Sequence, residues 1–249
     1  MIPSNPDLSG RLALVTGASR GIGYQLCLQL AKAGAEIIAV ARTVGGLEEL
    51  DDAITELGGK CTLVPLDLKD HDGIDRLGGV IAERWGRLDI MVANAGILGA
   101  VSPVGQMKSK TFDELMSVNL TSVWRLIRTT EPLLRQSDAG RAILLSSSVA
   151  HTARAFWGPY AASKAAVEVL GRTWAAESEK TALRVNLVNP GGTRTHMRAQ
   201  AMPGENPDSL PTAEQTAAKI IGLASPDLQE TGKLWDVPTQ SWKDYQLPA

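Results

Sequence analysis

The chain has 249 residues, 44% of them hydrophobic and 21% charged, and its net charge of −2 gives no electrostatic reason to expect nucleic acid or an anionic membrane as a partner. No apolar run reaches the ~18 residues of a membrane span, and residues 1–10 lack the basic and apolar regions of a signal peptide. Cys27 and Cys61 lie in apolar segments that suit free thiols, so we expect a cytoplasmic protein.

The first predicted unit is a strand, a glycine-rich turn and a helix. Residues 11–16 are an apolar run that reads as a buried strand, and a helical pattern over 22–33 follows the turn. The turn has the spacing G-x-x-x-G-x-G, which differs from the standard dinucleotide fingerprint G-x-G-x-x-G. Glycines at such a turn let the backbone approach a pyrophosphate at the helix N-terminus, and the position after a first strand favours this interpretation over a plain turn.

The second predicted strand, over residues 36–41, indicates which cofactor would bind. An acid at the end of this strand would bind the ribose hydroxyls of NAD, whereas an arginine accommodates the 2′-phosphate of NADP. Here Arg42 follows the strand without an acid, and Arg20 in the glycine turn adds a second cation. The pattern favours NADP over NAD, although an exposed loop cation would look the same.

Strands and helices then alternate to the end of the chain. Further strands are predicted over residues 61–66, 88–93, 140–145, 183–188 and 231–237. Further helices are predicted over residues 45–58, 70–86, 112–135, 159–179 and 212–224. This order predicts an α/β fold: one doubly wound Rossmann-type domain over 1–249, whose parallel seven-stranded sheet is flanked by helices on both faces. Its core spans about 10–237, with a short N-terminal arm and a C-terminal tail that shows no clear pattern.

Polar and small residues follow the third and fourth predicted strands. Asp67 comes just after the third strand, where it would either meet an adenine or cap a helix. Asn94-Ala95-Gly96 follows the fourth strand, and its small residues would let the backbone pass close to a cofactor. Asn119 stands in the middle of the longest predicted helix, where asparagine is a middling choice.

Tyr160 and Lys164 are four residues apart, near the start of a predicted helix that follows Ser146-Ser147-Ser148 at a strand end. On a helix both side chains share one face. A nearby ammonium favours a phenolate, so we expect Lys164 to lower the pKa of Tyr160 and to tune it for proton transfer. An isolated Y-x-x-x-K is more often a plain helix with a solvated lysine, so the rest of the chain has to support this interpretation.

The last segments carry a second glycine-rich turn and a polar loop. Residues 189–195 read Asn-Pro-Gly-Gly-Thr-Arg-Thr, a turn that can again approach a cofactor by its backbone. Residues 196–211 are polar and interrupted by proline and glycine, so they are interpreted as a mobile lid over the substrate.

Together these motifs resemble the short-chain dehydrogenase/reductase family over nearly the whole chain. The matching pieces are Thr16-Gly17-x-x-x-Gly21-x-Gly23, Asp67, Asn94-Ala95-Gly96, Asn119, the Ser147 region, Tyr160-x-x-x-Lys164 and Pro190-Gly191-Gly192-Thr193. The amino-acid sequences of residues 155–160 and 189–195 are similar to those of a subgroup of bacterial short-chain oxidoreductases.

The resemblance implies a role for each catalytic residue. Tyr160 would be the acid/base, Lys164 would lower its pKa and hold the nicotinamide ribose, Ser147 would bind the substrate oxygen, and Asn119 would hold a water in a proton relay. The spacing from Tyr160 selects Ser147, whereas the following Val149-Ala150 would select Ser148.

The resemblance also implies the binding residues and the partners. Cofactor contacts are expected from Gly17, Ser19, Arg20, Gly21, Ile22, Gly23, Arg42, Asp67, Leu68, Asn94, Ala95, Gly96, Tyr160, Lys164, Pro190, Gly191, Thr193 and Thr195. Substrate contacts are expected from Ser147, His151 and Trp157, with Met197 a further candidate, and each could equally be loop packing. The expected partners are a small carbonyl or alcohol and further copies of the chain in a dimer or tetramer. The three scattered histidines suggest no metal site.

Two other functions remain open. A 3-oxoacyl-[acyl-carrier-protein] reductase could dock its acidic carrier through Arg135 and Arg172, although two cations more often belong to solvated helix faces. A non-catalytic NADP(H)-binding sensor or scaffold would keep the fold, but it would not need the serine, tyrosine, lysine and asparagine together.

Overall fold

The sheet contains the seven parallel strands that the sequence predicts and one more. The structure is a computed structural model that describes residues 2–244; Met1 and residues 245–249, the end of the predicted tail, lie outside the described residues. The strands are β1 Leu12–Thr16, β2 Glu36–Ala41, β3 Cys61–Pro65, β4 Ile90–Ala93, β5 Arg141–Leu145, β6 Arg184–Asn189, β7 Leu234–Asp236 and β8 Ser241–Lys243. Their spatial order is β3-β2-β1-β4-β5-β6-β7-β8.

The eighth strand corrects the prediction for the tail. β8 pairs antiparallel with β7, and Trp242 lies opposite Trp235, with the two rings edge to face at 5.2 Å between centroids. Three residues are too few to show the alternation of a strand. The two strands form a hairpin across residues 237–240, which lack the Asn-Gly or Asp-Gly pair that marks a tight hairpin in a sequence.

Helices cover both faces of the sheet. They are α1 Gly21–Lys32, α2 Val44–Glu56, α3 His71–Trp85, α4 Ser109–Met116, α5 Ser122–Leu134, α6 Val149–Thr152, α7 Gly158–Glu177, α8 His196–Ala201 and α9 Ala213–Ala218. Residues of α1, α2 and α9 share one buried cluster with one face of the strands, and residues of α3, α5 and α7 share the other. Both faces are buried, which explains why the central strands are continuous apolar runs.

Three predicted segments differ in detail. The predicted helix 112–135 is two helices, α4 and α5, joined by a π-helical stretch over Ser117–Thr121. The predicted lid, residues 196–211, contains α8 and a 3-10 turn over Pro207–Ser209. The predicted helix 212–224 is the short α9 followed by a 3-10 turn. These corrections concern short or irregular elements, and the order of the main elements is as predicted.

The strand order reverses at β1, which has β2 on one side and β4 on the other. In an open α/β sheet, this reversal leaves a crevice outside the carboxyl ends of the strands, where ligands bind. The turns that follow β1, β2, β4, β5 and β6 therefore meet at one edge of the sheet.

Candidate active site

A cavity of about 590 Å³ lies at the carboxyl ends of the strands. Most of the residues predicted to bind a cofactor line it, namely Gly17, Ser19, Arg20, Gly21, Ile22, Arg42, Asp67, Leu68, Asn94, Ala95, Gly96, Tyr160, Lys164, Pro190 and Thr195. The fold thus brings together residues that are up to 178 positions apart in the chain. Gly23, Gly191 and Thr193 do not line the cavity and serve the turns behind it.

The glycines between β1 and α1 are required by the backbone conformation and the close packing of this turn. Gly17 and Gly21 have φ angles of +69° and +61°, in the left-handed region that favours glycine. A Cβ atom on Gly23 would lie 2.3 Å from the Gly17 carbonyl oxygen and 2.4 Å from Asn94 Nδ2. No side chain caps α1, and its first turn contains no acid. This turn therefore offers backbone N–H groups and the positive end of the helix dipole to an anion.

Thr16 and Asn94 tie the glycine turn to the end of β4. Thr16 Oγ1 accepts hydrogen bonds from the backbone nitrogens of Asn94 and Ala95, at 3.1 and 3.2 Å. Asn94 Nδ2 donates to the Thr16 carbonyl oxygen at 2.9 Å. The predicted role of Asn94-Ala95-Gly96 was close backbone approach to a cofactor, and the structure adds a bracing role for the Asn94 side chain.

Arg20 and Arg42 supply positive charge at one end of the cavity. Both side chains are exposed. Neither forms a hydrogen bond or an ion pair with any other residue in the described range 2–244. β2 ends at Ala41, with no carboxylate beside it at the position that would meet a ribose. This end of the cavity therefore has the charge and the donors that suit a phosphate group.

Asp67 was predicted either to meet an adenine or to cap a helix, and the structure gives the capping role to Asp70. Asp70 caps α3, since its carboxylate accepts a hydrogen bond from Gly73 N at 2.9 Å. Asp67 lines the cavity, and its Oδ1 accepts a hydrogen bond from Lys69 N at 3.0 Å. Asp67 is thus held by its own turn and faces the cavity, and its contact with an adenine stays a prediction.

Tyr160 and Lys164 are one turn apart on α7, and both line the cavity. Lys164 is almost fully buried, and its Nζ donates a hydrogen bond to the Leu145 carbonyl oxygen at 2.8 Å, at the end of β5. The same Nζ lies 5.9 Å from the centre of the Tyr160 ring. The spacing of four residues therefore places both side chains at one spot, as predicted from the sequence.

The pKa values of this pair differ from the expectation that the lysine lowers the pKa of the tyrosine. Burial raises the pKa of Tyr160 to about 12, and a hydrogen bond with Ser147 acts in the opposite direction. Burial also lowers the pKa of Lys164 to about 8. Desolvation penalises the charged form of each group and is the largest influence on both pKa values. At neutral pH Tyr160 therefore carries its proton.

Of the two candidate serines, Ser147 is placed to act with Tyr160. Its hydroxyl is close enough to the Tyr160 phenol to lower the pKa of that group, whereas Ser148 is exposed and precedes α6. Ser147 does not line the cavity; it lies beside Tyr160 where α6 begins. Ser147 lies in the segment that connects the end of β5 at Leu145 to the start of α7 at Gly158, and this segment places it beside Tyr160.

Asn119 lies in the π-helical stretch and is completely buried. Its Oδ1 accepts a hydrogen bond from Ile97 N at 2.8 Å, and its Nδ2 donates to Ile97 O at 2.9 Å and to Ser163 Oγ at 3.1 Å. π-bulges are rare and often mark functional sites. Here the bulge turns Asn119 toward the backbone after β4, behind Gly96 and Lys164.

His151 and Trp157 do not line the cavity. The His151 ring is half exposed, and its Nε2 lies 3.0 Å from the buried Glu168 carboxylate. Trp157 is buried and packs edge-on against Tyr160, with 5.9 Å between the ring centroids. Substrate contact by either residue stays a prediction, and Trp157 is the better placed because it adjoins Tyr160.

The second glycine-rich turn follows β6. Gly191 has a φ angle of +71°, and a Cβ atom there would lie 2.5 Å from Pro238 Cγ. The Thr193 hydroxyl is buried and lies 3.1 Å from the Thr216 hydroxyl. Thr195 Oγ1 caps α8 by accepting a hydrogen bond from Arg198 N at 3.2 Å. Gly191 and Thr193 therefore shape the turn, while Pro190 and Thr195 reach the cavity.

Several residues that line the cavity were not predicted from the sequence. They include Ile97 and Leu98 after β4, Arg194, His196 and Gln200 after β6, Val118 in the π-helical stretch and Ser146 after β5, with Met197 considered only as a candidate. Ile97, Leu98 and Arg194 directly follow Asn94-Ala95-Gly96 and Thr193, and that position was the signal that could have found them.

Neither a metal site nor a membrane-spanning helix is found in the part of the chain that the structure describes. Residues 2–244 contain no group of three or more histidine, cysteine or acidic side chains placed to hold a metal ion. Within the same range, no helix combines the length and the apolar character needed to cross a bilayer.

Known proteins resemble this chain over most of its length. The family described as short chain dehydrogenase matches residues 11–206. A protein of Escherichia coli (strain K12) named "Uncharacterized oxidoreductase YciK" is 37% identical over 238 residues, which are 94% of each chain. The crystal structure of a short chain dehydrogenase from Escherichia coli CFT073 complexed with NADPH matches with a TM-score of 0.88 and 37% identity, covering 94% of this chain and 99% of that one.

A further relative points to the other nicotinamide cofactor. A protein of Mycobacterium tuberculosis named as an uncharacterized NAD-dependent oxidoreductase is 35% identical over 205 residues, which are 77% of this chain and 74% of that protein. The similar proteins therefore include a structure with NADPH bound and a protein named as NAD-dependent.

Proposed function

The chain belongs to the short-chain dehydrogenase/reductase family of oxidoreductases, and from this premise we propose that it transfers hydride reversibly between NADP(H) and a carbonyl/alcohol pair. The single observation that carries the proposal is the joint placement of Tyr160 and Lys164 in a cavity whose other end holds Arg20 and Arg42. The first pair suits proton transfer at a carbonyl oxygen, and the second pair suits a phosphate.

Several features of the cavity support a dinucleotide with a 2′-phosphate as its ligand. Gly17 and Gly21 line the cavity without side chains, so the backbone there could approach a pyrophosphate. The uncapped N-terminus of α1 adds donors for the same group. Arg20 and Arg42 have no competing carboxylate among residues 2–244, so they would hold the 2′-phosphate. NAD lacks this group, and its use by this chain is the weaker alternative.

When it is bound, the nicotinamide supplies or accepts the hydride. In the reducing direction the Ser147 and Tyr160 hydroxyls donate hydrogen bonds to the substrate oxygen as negative charge develops on it. Tyr160 then delivers its proton to that oxygen. Since burial raises the pKa of Tyr160 to about 12, the phenol is protonated at neutral pH, as this step requires.

Lys164 and Asn119 support the proton transfer. The Lys164 ammonium would hold the nicotinamide ribose and favour the phenolate after the proton has left. Asn119 would hold the water of a proton relay, and the Ile97 backbone fixes its amide in place. In the oxidising direction the same groups act in reverse, with Tyr160 accepting the proton of the alcohol.

Neither alternative function has a specific observation in its favour. The two arginines considered for docking an acyl carrier are already paired, Arg135 with Glu131 at 2.7 Å and Arg172 with Glu168 at 3.3 Å. They do not form one cationic surface. A non-catalytic sensor would retain the cavity but would not require a serine hydroxyl that acts on the Tyr160 phenol.

The predicted dimer or tetramer remains a prediction. Trp124 on α5 and Val169 on α7 are large apolar side chains with 43% and 57% exposure, on the helices expected to form the subunit contacts. Light scattering on the eluting protein tests this directly, since a monomer at micromolar concentration would contradict it.

The proposed activity is tested by following NADPH absorbance with a panel of ketones, aldehydes, quinones and 3-oxoacyl thioesters, with NADH in parallel. We expect consumption of NADPH on one carbonyl class, with a much lower kcat/KM for NADH. Reaction only with carrier-bound 3-oxoacyl thioesters would establish the carrier-reductase alternative. NADPH binding without turnover on any class would favour the sensor.

A further inference from the structure

A buried carboxylate lies directly behind the candidate catalytic residues. Tyr160, Lys164 and Glu168 recur every four residues on α7, so they share one face of the helix. Glu168 is 2% exposed. A buried carboxylate is costly unless hydrogen bonds and opposite charge compensate it, so its presence beside the site asks for a reason.

The other buried carboxylate among residues 2–244, Asp89, has a structural explanation that Glu168 lacks. Asp89 lies at the opposite end of the sheet, where it accepts hydrogen bonds from Leu12 N at 2.9 Å and Ser137 Oγ at 2.6 Å. Arg11 and Arg87 each lie 3.3 Å from it. It therefore joins the starts of neighbouring strands, far from the cavity. Glu168 instead contacts the segment that carries the catalytic serine.

Glu168 contacts both ends of that segment. Ser146 Oγ donates a hydrogen bond to Glu168 Oε1 at 2.5 Å, and His151 Nε2 lies 3.0 Å from the carboxylate. Ser147 lies between these two residues. Arg172, one turn further along α7, lies 3.3 Å from Glu168 Oε2 and offsets its charge. The carboxylate thus fastens residues 146–151 to the helix that carries Tyr160.

Packing and backbone hydrogen bonds also hold the segment: α6 packs against α7, and Val149 is buried. Ser147 O accepts a hydrogen bond from Ala150 N at 3.0 Å, and Ser146 N donates to Val188 O at 2.7 Å. α6 ends at Thr152, and the following Ala153 has a φ angle of +43°. The side chains of Ser146 and His151 both reach α7 through Glu168. Glu168 therefore supplies polar contacts that orient this segment relative to the helix that carries Tyr160.

We propose that Glu168 is a positioning residue that holds the Ser146–His151 segment on α7 and thereby sets the Ser147 hydroxyl beside the Tyr160 hydroxyl. It touches neither the substrate nor the cofactor. The proposal deepens the proposed function and rests on it, because it assigns the group that orients the two donors to the substrate oxygen. The proposal also gives His151 a role other than substrate contact, because its ring forms the solvent-exposed end of the Ser146–Glu168–His151 contacts.

The test compares Glu168→Gln with Ser147→Ala and with a control, Glu177→Gln. Glu177 is an exposed glutamate at the end of the same helix, so its variant makes the same chemical change away from the network. Glutamine keeps the shape of Glu168 but loses the charge that binds His151 and Arg172. We expect Glu168→Gln to lower kcat about 10- to 100-fold. NADPH affinity should stay within about twofold, because the cofactor end of the cavity is untouched.

A second measurement does not depend on activity. The chain has three tyrosines, so the Tyr160 resonance of the full chain with 13C-labelled tyrosine is assigned by its loss in Tyr160→Phe. Its titration reports the hydrogen bond with Ser147, which lowers the pKa of Tyr160. Glu168→Gln should raise this pKa in the same direction as Ser147→Ala, whereas the simple loss of a nearby negative charge would lower it. Glu177→Gln should leave it unchanged.

The outcomes separate this inference from the proposed function. A wild type that turns over no carbonyl refutes the function, while the Tyr160 titration still decides the positioning role. A Glu168→Gln protein with wild-type kcat per folded molecule and an unchanged Tyr160 titration overturns the inference, even if its melting temperature falls. If Glu168→Gln does not fold, His151→Ala and Ser146→Ala each remove one contact. Both should shift the Tyr160 titration upward, and no shift in either overturns the inference.

Discussion

Gly23→Ala is the substitution for which the structure gives the sharpest expectation. The new methyl carbon would lie 2.3 Å from the Gly17 carbonyl oxygen and 2.4 Å from Asn94 Nδ2. Ordinary contact distances are ~3.5 Å or more, so the glycine turn must move by roughly 1 Å. Asn94 can rotate away only by breaking its 2.9 Å hydrogen bond to Thr16. The substitution therefore separates α1 from the end of β4.

Two opposite effects set the size of the change. Alanine in place of glycine inside α1 favours the helix by up to about 1 kcal/mol. Overpacking of this kind destabilises by about 1–3 kcal/mol, so we expect a net loss in the free energy of unfolding. The displaced backbone would also lose one or more N–H bonds to the pyrophosphate, each worth about 1.5–3 kcal/mol. NADPH affinity should therefore fall at least about tenfold.

The assay is urea denaturation together with a fluorescence titration of NADPH, with Gly79→Ala as the matched control. Gly79 also lies inside a helix, α3, but a Cβ atom there meets nothing within 4 Å. This control should gain about 0.5–1 kcal/mol and bind NADPH as the wild type does. If Gly23→Ala is as stable as Gly79→Ala and binds NADPH normally, then the turn does not hold the cofactor as argued.

Three further predictions concern the charges and hydroxyls of the site. Arg42→Ala should raise the KM for NADPH about tenfold, because it removes one exposed charge-assisted contact, and should leave the KM for NADH within about twofold. Equal changes in KM for both cofactors would contradict the phosphate assignment. The same change in the exposed control Lys180→Ala would contradict it as well. Burial lowers the pKa of Lys164 to about 8, below the ~10.4 of a lysine in the unfolded chain. Between these two pH values the unfolded chain binds a proton on Lys164 that the folded chain does not. The free energy of unfolding therefore rises with pH over this range. Lys164→Met should abolish this rise and be up to roughly 3 kcal/mol more stable at neutral pH, although inactive; parallel stability curves for the two proteins would show that the lysine is not desolvated. Ser147→Ala should lower kcat about 100-fold while Ser148→Ala stays near the wild type, and the reverse order would assign the catalytic role to Ser148.

The parts of the fold that were predicted correctly have strong local signals. The apolar run before Gly17 and the strand over 36–41 are buried on both faces, so their composition alone marks them. β7 was expected over 231–237 but spans only Leu234–Asp236. β8 was missed because its hairpin with β7 pairs only three residues on each strand, too few for a visible alternation. The connecting residues 237–240 also lack the Asn-Gly or Asp-Gly pair that marks a tight hairpin.

The candidate site also contains some residues that a local sequence signal predicted and others that it did not. The spacing of Tyr160 and Lys164 was sufficient to place them together, because a helix fixes the positions i and i+4. Asn119 was noted only as an unusual helix residue, and the π-helical stretch that turns it inward was not predicted. Glu168 was overlooked because a glutamate in a helix normally faces solvent. Its separation of four residues from Lys164 was the available signal, and its burial follows from the packing of α7 on β5.

The most direct test of the proposed chemistry is the rate of NADPH consumption by the wild type and by Tyr160→Phe, on one carbonyl that the wild type reduces, with NADPH binding measured for both. Phenylalanine keeps the ring that packs on Trp157 and removes only the hydroxyl. If Tyr160 is the acid/base, the variant binds NADPH with unchanged affinity and loses about 100- to 10,000-fold in kcat, the usual contribution of a positioned proton donor. A variant that binds NADPH and retains near-native kcat would show that another group supplies the proton, and the proposed mechanism would be wrong.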